Sequence, residues 1–184
     1  GLLNAGSVII TASSCEDVQN TCIANTGTIS ASTITASSIG QLVSNSGDGS
    51  FSNLNATSVG VVISSAVGAT GSFSDVSAVG AGLVLRVWGD QSGTTFIDFD
   101  VSGADLLVDA SGSSGLEMSD VAGTQVDSVL LADDADSLAF TQFDVEAADS
   151  PYVALRANTN GSLDLDRVDL AVDQGMKPIG EEFT

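Results

Sequence analysis

The sequence predicts an all-β protein: 22-residue strand-turn repeats, as a fibrous β-shaft or a β-solenoid, followed by a small antiparallel β-domain. Three observations carry that reading. Written in rows of 22, Gly27-Thr28-Ile29-Ser30, Gly49-Ser50-Phe51-Ser52 and Gly71-Ser72-Phe73-Ser74 share a column, which Gly93 and Gly115 continue as glycine. Small residues dominate the 184, with 27 Ser, 14 Thr and 20 Gly against 5% aromatics and 2 Pro, which suits thin, repetitive β-structure better than a thick core. Alternation such as Leu83, Leu85 and Val87 has the period of a strand. The best helical stretch, Val126 to Phe140, is interrupted by Asp133, Asp134 and Asp136.

Residues 1–26 read as an N-terminal strand and a cysteine loop. Leu2-Leu3 and Ser7-Val8-Ile9-Ile10-Thr11 suit either an ordinary first strand or a donor strand that completes a neighbour's sheet. Cys15 and Cys22 flank a short polar segment, and no His or further Cys offers a metal site. The pair is expected to form a local disulfide, which implies an oxidising or extracellular setting; two separate buried thiols are the alternative.

Residues 27–92 form the repeat region. Ser50–Leu54 leads to Gly60–Ile63, and Ser72–Val76 leads to Leu83–Trp88, so each unit reads strand, turn, strand, turn. The rows around Ile29 and Ile34 hold little apolar mass to offset the ordering entropy of a lone chain. The expected remedy is a homo-oligomer, a trimer or a polymer, whose chains share one apolar axis. Ile29, Phe51 and Phe73 form its assembly core.

Residues 93–184 read as an acidic β-domain. Thr95, Ile97, Phe99 and Val101 are expected to face one way, and Phe96, Asp98 and Asp100 the other. Leu163 and Leu165 precede Val168, Leu170 and Val172, so the apolar parity switches at Arg167, where a bulge or turn is expected.

Charge narrows the function. Lys+Arg number 4 against Asp+Glu 24, a net charge of −20, which excludes a phosphate-tracking surface and attraction to anionic membranes. Residues 1–90 hold five acids and Arg86; residues 91–184 hold the other nineteen acids with Arg156, Arg167 and Lys177. No apolar run reaches the roughly 18 residues of a membrane span. His is absent, which removes the commonest general base and zinc ligand.

Chemistry has few candidates. Asp133, Asp134 and Asp136, read as a turn, are the Ca²⁺ candidate among three acidic clusters, ahead of Asp98/Asp100 and Asp164/Asp166/Asp169. No EF-hand spacing supports it, and solvated acidic faces are the plainer reading. Carboxylate pairs could hydrolyse glycosides, but they occur everywhere in so acidic a chain, and Trp88 and Tyr152 make a meagre sugar platform. No Gly-x-Ser-x-Gly elbow is present, so an enzyme is not expected, and no cofactor is implied beyond Ca²⁺. Asn55-Ala56-Thr57 and Asn160-Gly161-Ser162 match glycosylation acceptors at a frequency chance supplies in a chain this rich in Ser and Thr.

Gly49-Ser50-Phe51-Ser52-Asn53-Leu54-Asn55-Ala56-Thr57 and Gly71-Ser72-Phe73-Ser74-Asp75-Val76-Ser77-Ala78 resemble the rows of repeat-built β fibre and appendage proteins of viruses and phages. The resemblance covers residues 27–90. It implies a trimeric all-β fibre on a virion surface without catalytic residues. The leading expectation is therefore a structural, self-assembling subunit of a virion surface fibre, with a possible role in host attachment and other virion proteins as partners. A secreted cellular filament or surface-layer subunit joined by strand exchange is the alternative. An ice- or surface-binding β-solenoid is third.

Overall fold

The structure, a computed structural model, describes residues 1–17, 19–157 and 163–172, with side chains described through Glu146 and at Asp164, Asp166 and Arg167. Its strands are β1 (Leu2–Asn4), β2 (Ser7–Ile10), β3 (Ser13–Glu16), β4 (Thr21–Asn25), β5 (Thr28–Ser37), β6 (Gln41–Asn45), β7 (Asp48–Thr57), β8 (Val61–Ser65), β9 (Thr70–Val79), β10 (Leu83–Val87), β11 (Gly89–Asp90), β12 (Thr94–Ser102), β13 (Leu106–Asp109), β14 (Ser113–Ala157) and β15 (Leu163–Val172). The short strands β1, β4, β6, β8, β10 and β13 stack in order onto β14, and the long strands β5, β7, β9 and β12 stack beside them. Every pairing among the described residues is parallel, so the chain winds as a β-solenoid. Among the described residues the antiparallel domain expected over 93–184 is not seen: β12, β13, β14 and β15 continue the same parallel stack. Residues 173–184 and the acceptor motif at Asn160 lie outside the described residues.

Each long strand is two arms joined by one left-handed residue. In β5, Ile29 and Ala31 are buried, then Ile34 and Ala36, a shift of parity between the two halves. Thr33 sits between them at φ 56°, and the same rung of later coils holds Asn53, Asp75, Asp98, Asp120, Gln142 and Arg167, all at φ between 52° and 66°. A residue at positive φ turns the chain so that apolar residues on both arms point inward. Asn and Asp tolerate that conformation better than other side-chain residues, which explains their recurrence. The expected switch at Arg167 is this bend. The same bend at Asp98 overturns the single-parity reading of 95–101, because Phe96, Phe99 and Val101 are all buried. A second left-handed column, Asp17, Ser38, Ser58, Gly80, Gly103 and Gln125, turns the second arm toward the short strand of the next coil.

The corner between short strand and first arm is held by an asparagine ladder. Asn4, Asn25 and Asn45 are buried, and the Nδ2 of Asn4 and of Asn25 each donates to the Oδ1 of the next asparagine at 2.8 Å. Asn25 also donates to the carbonyls of Gly27 and Asp48 and accepts from the Gly27 N–H. Only glycine fits beneath: a Cβ on Gly47 would lie 2.3 Å from the Gly27 carbonyl oxygen. The ladder ends at Ser65, whose shorter side chain donates to Gln91 Oε1 at 2.9 Å. Gln91 in turn donates to the carbonyls of Ala66 and Trp88. The corner after Ser65 is longer than those before it, with Ala66 to Ala69 where Ser46 and Gly47 suffice one coil earlier.

Coil length therefore varies. Ile23 pairs with Val43, Val43 with Ile63, Ile63 with Leu85, Leu85 with Val108, and Val108 with Leu130. The 22-residue step holds from Phe51 to Phe73 but not before it, where Thr28 pairs with Asp48 and Ala31 with Phe51. Ile29 stands opposite Gly49 rather than Phe51, and Gly71 opposite Thr94 rather than Gly93. Volume explains the first exchange. Gly49 leaves room for the Phe51 ring, which a Cβ would meet at 2.3 Å, while Ile29 fills the same space above the smaller Ala31.

The core runs as columns through one chain. Phe51, Phe73 and Phe96 stack with centroids 4.8 and 5.3 Å apart and planes within 7°, and Met118 continues the column. Beside it run Ile34, Leu54, Val76, Phe99 and Val121. Ile29, Phe51 and Phe73 are at most 2% exposed within the single chain, so the axis that buries them is the chain's own.

Candidate functional site

The left-handed bend makes the outer junction of the two arms concave. Across successive coils, Asn53, Asp75, Asp98 and Asp120 line it, joined by Asn55, Asp100 and Asp144 from the second arm, in an open trough of about 650 Å³. Parallel strands lie about 4.8 Å apart, so each carboxylate of the Asp75, Asp98 and Asp120 rung stands roughly one strand spacing from the next. Gln142 Nε2 donates to Asp120 Oδ1 at 2.7 Å and occupies part of that acidity. The trough is a solvated acidic surface that concentrates cations by its field.

The cluster Asp133, Asp134 and Asp136 falls within β14. Asp134 has φ 57°, and the Gly112 N–H donates to the Asp133 carbonyl, so the cluster stands at a corner one coil beyond Gly112. Asp136 Oδ1 accepts from Ser137 at 3.2 Å. Among the described residues, no three carboxylate, Cys or His side chains come together as a metal-binding group. Asp164 and Asp166 are exposed, and Asp166 pairs with Arg167 at 3.3 Å; the side chain of Asp169 lies outside the described set. Asp90, at another corner, is held below the usual carboxylate range by the backbone N–H of Ser92, and secondarily by its hydroxyl.

Cys15 and Cys22 form a disulfide, with Cα atoms 6.0 Å apart. It joins the end of β3 to the start of β4 and so pins the first coil to the second. The proposed donor segments form β1 and β2 of that first coil, paired with β4 and β5 of the same chain.

Sequence reasoning missed the bend column and the asparagine ladder. The parity switch seen at Arg167 was the available signal for the first, since it recurs at Thr33, Asn53, Asp75 and Asp98. Asn25-Thr26-Gly27 and Asn45-Ser46-Gly47 carried the second, but only when aligned at a 20-residue step. Comparison with protein-family models, with curated proteins and with solved structures finds no match to this chain.

Proposed function

We propose that this chain is a structural, self-assembling element of a surface fibre or appendage, on a virion in the leading reading. The observation that carries it is the continuous parallel stack itself. Seven coils, from β1 to the 128–131 segment of β14, spaced about 4.8 Å apart, make a rod segment roughly 30 Å long. Its side chains are spent on interior columns, corner ladders and a solvated exterior. The disulfide and the strong acidity suit exposure outside a reducing compartment. The rows at Gly49 and Gly71, which resemble viral and phage fibre repeats, favour the virion.

A second reading, a secreted filament or surface-layer subunit joined by strand addition, is favoured by the edge of the first coil. Leu3 and Ile9 there are 75% and 79% exposed, at outward positions that Ala24 and Ser30 fill one coil later. The ice-binding alternative gains no support, because an outward column runs Thr35, Asn55, Ser77 and Asp100 rather than threonine throughout. Immunogold electron microscopy on the source material, with antibody to the outer faces of the arms, tests the proposal. Gold along particle-attached fibres supports the virion reading and gold along free filaments the second. Label confined to a soluble fraction contradicts both.

A further inference from the structure

The sides of the solenoid differ in charge. On the side built from short strands, the column facing away from the core runs Leu3, Ala24, Ser44, Ser64, Arg86 and Asp109, with Ser64 itself buried, and Leu131 follows in β14. Its single cation and single anion pair with each other at 3.4 Å, so the column carries no net charge. The arms hold Asp48, Asp75, Asp98, Asp100, Glu117, Asp120, Asp144 and Glu146.

Exposed apolar residues lie on both sides, with Ile9 and Val79 on the arms and the others on or beside the short strands. Large hydrophobic side chains exposed among the described residues are Leu2, Leu3, Ile9, Val67, Val79, Trp88 and Leu131. Leu3 and Leu131 stand in the neutral column, and Val67 and Trp88 at the corner where that side meets the first arm. Asp90, Asp105, Asp127 and Asp133 border the neutral side at its corners. The column is small and polar in the middle, self-neutralised at Arg86–Asp109 and apolar at its ends, Leu3 and Leu131, with acids at its rim. Charge depletion at the centre of a patch is a mark of protein–protein contacts.

We propose that this neutral side is the face on which a second copy of the chain packs laterally, side to side. The proposal rests on the self-assembly reading above and says which surface performs it. Charge selects the occupant. Two chains of net charge −20 repel through their arms, and this is the side on which they approach with the least like-charge opposition, confined to the acids at its corners. A basic partner would be drawn instead to the acidic trough. Seven rungs, six spacings of about 4.8 Å, and a width of four residues at about 3.3 Å give roughly 400 Å² per copy, so one such contact lies in the weak, concentration-dependent range.

Sedimentation velocity over a concentration series of the 184-residue chain tests this, with Ser44→Glu and Leu131→Glu as variants and Ser52→Glu on the arm as control. Both replaced side chains point outward, and circular dichroism melts report whether each variant stays folded. The expected result is association of the parent and the control, weakened about tenfold or more in the two variants at unchanged melts. Where either variant lowers the melt, Ser44→Cys replaces it: its cross-linking between chains on mild oxidation supports the contact, and failure to do so overturns it. Association that ignores both Glu variants but is lost in Ser52→Glu overturns this face and leaves the appendage reading standing. A monomer at every concentration overturns both this contact and self-assembly of the chain.

Discussion

The rings of Phe51 and Phe73 lie parallel with centroids 4.8 Å apart, because the coils that carry them are adjacent parallel rungs in register. The Phe51 ring fills the space that Gly49 leaves, and Phe96 extends the pile by one coil. Phe73→Ala removes the middle ring and leaves a cavity closed on both sides. It should cost about 3–5 kcal/mol in chemical denaturation. Ser52→Asp, half-buried on the outer face of the first arm, should change stability by about 0.5 kcal/mol or less. Equal tolerance of both would refute the interior column.

The bend column predicts an unusual pattern of tolerance. Asp98 holds φ 66° without glycine's freedom, so Asp98→Gly should leave stability unchanged or raise it by up to about 1 kcal/mol. Asp98→Val puts a β-branched side chain in the same conformation and should cost about 1–2 kcal/mol, read as a lowered melting temperature. The reverse order would mean that the two arms are joined by some other geometry.

Asn25 is the middle rung of the ladder, bonded to Asn4, Gly27, Asn45 and Asp48 at once. Asn25→Ala leaves several of those buried groups unpaired, at about 1–3 kcal/mol for each. Hydrogen exchange should quicken at the corners Thr26-Gly27 and Ser46-Gly47 while the Phe51–Phe96 column stays protected. Unchanged exchange at those corners would contradict the ladder.

What was legible in the sequence follows from which forces leave a periodic mark. Strand alternation and the Gly-Ser-Phe-Ser rows reported β-structure and the true step from Phe51 to Phe73. A fixed period failed where corner chemistry changes coil length, as where Asn45-Ser46-Gly47 gives way to Ser65 and its longer corner. The antiparallel reading of 93–184 arose because the left-handed residue at Arg167 imitates the parity break of a bulge, and the same bend at Asp98 was passed over as a single-parity strand. The shared-axis argument undercounted the core, since Ala31, Ala36, Ala56 and Ala78 look too small to matter and are fully buried in narrow coils. Of the predicted site residues, the cysteine pair was readable from its spacing, whereas the acidic trough gathers residues about one coil apart and left no local motif.

The disulfide can be checked directly. Non-reducing mass spectrometry of native material should find the peptide with Cys15 and Cys22 lighter by two hydrogens, and neither cysteine alkylated. Reduction should destabilise the first coil by about 2–3 kcal/mol on the loop-closure account, seen as faster exchange in β1, β2 and β3. Exchange spread evenly over the whole stack would show that the bridge is not a local staple.

The most direct test of the solenoid and its register is a cysteine pair on the outer face of the first arm. Ser30 and Ser50 are partners in adjacent parallel strands, about 4.8 Å apart and within reach of a disulfide, whereas Ser30 and Ser52 are offset by two residues and roughly 8 Å apart. Ser30→Cys with Ser50→Cys should oxidise rapidly to an intrachain bridge, located by peptide mapping beside the native Cys15–Cys22 bond. Ser30→Cys with Ser52→Cys should remain reduced. A bridge in the second pair and none in the first would restore the uniform 22-residue step and contradict the coil register on which the fold and its surfaces are built.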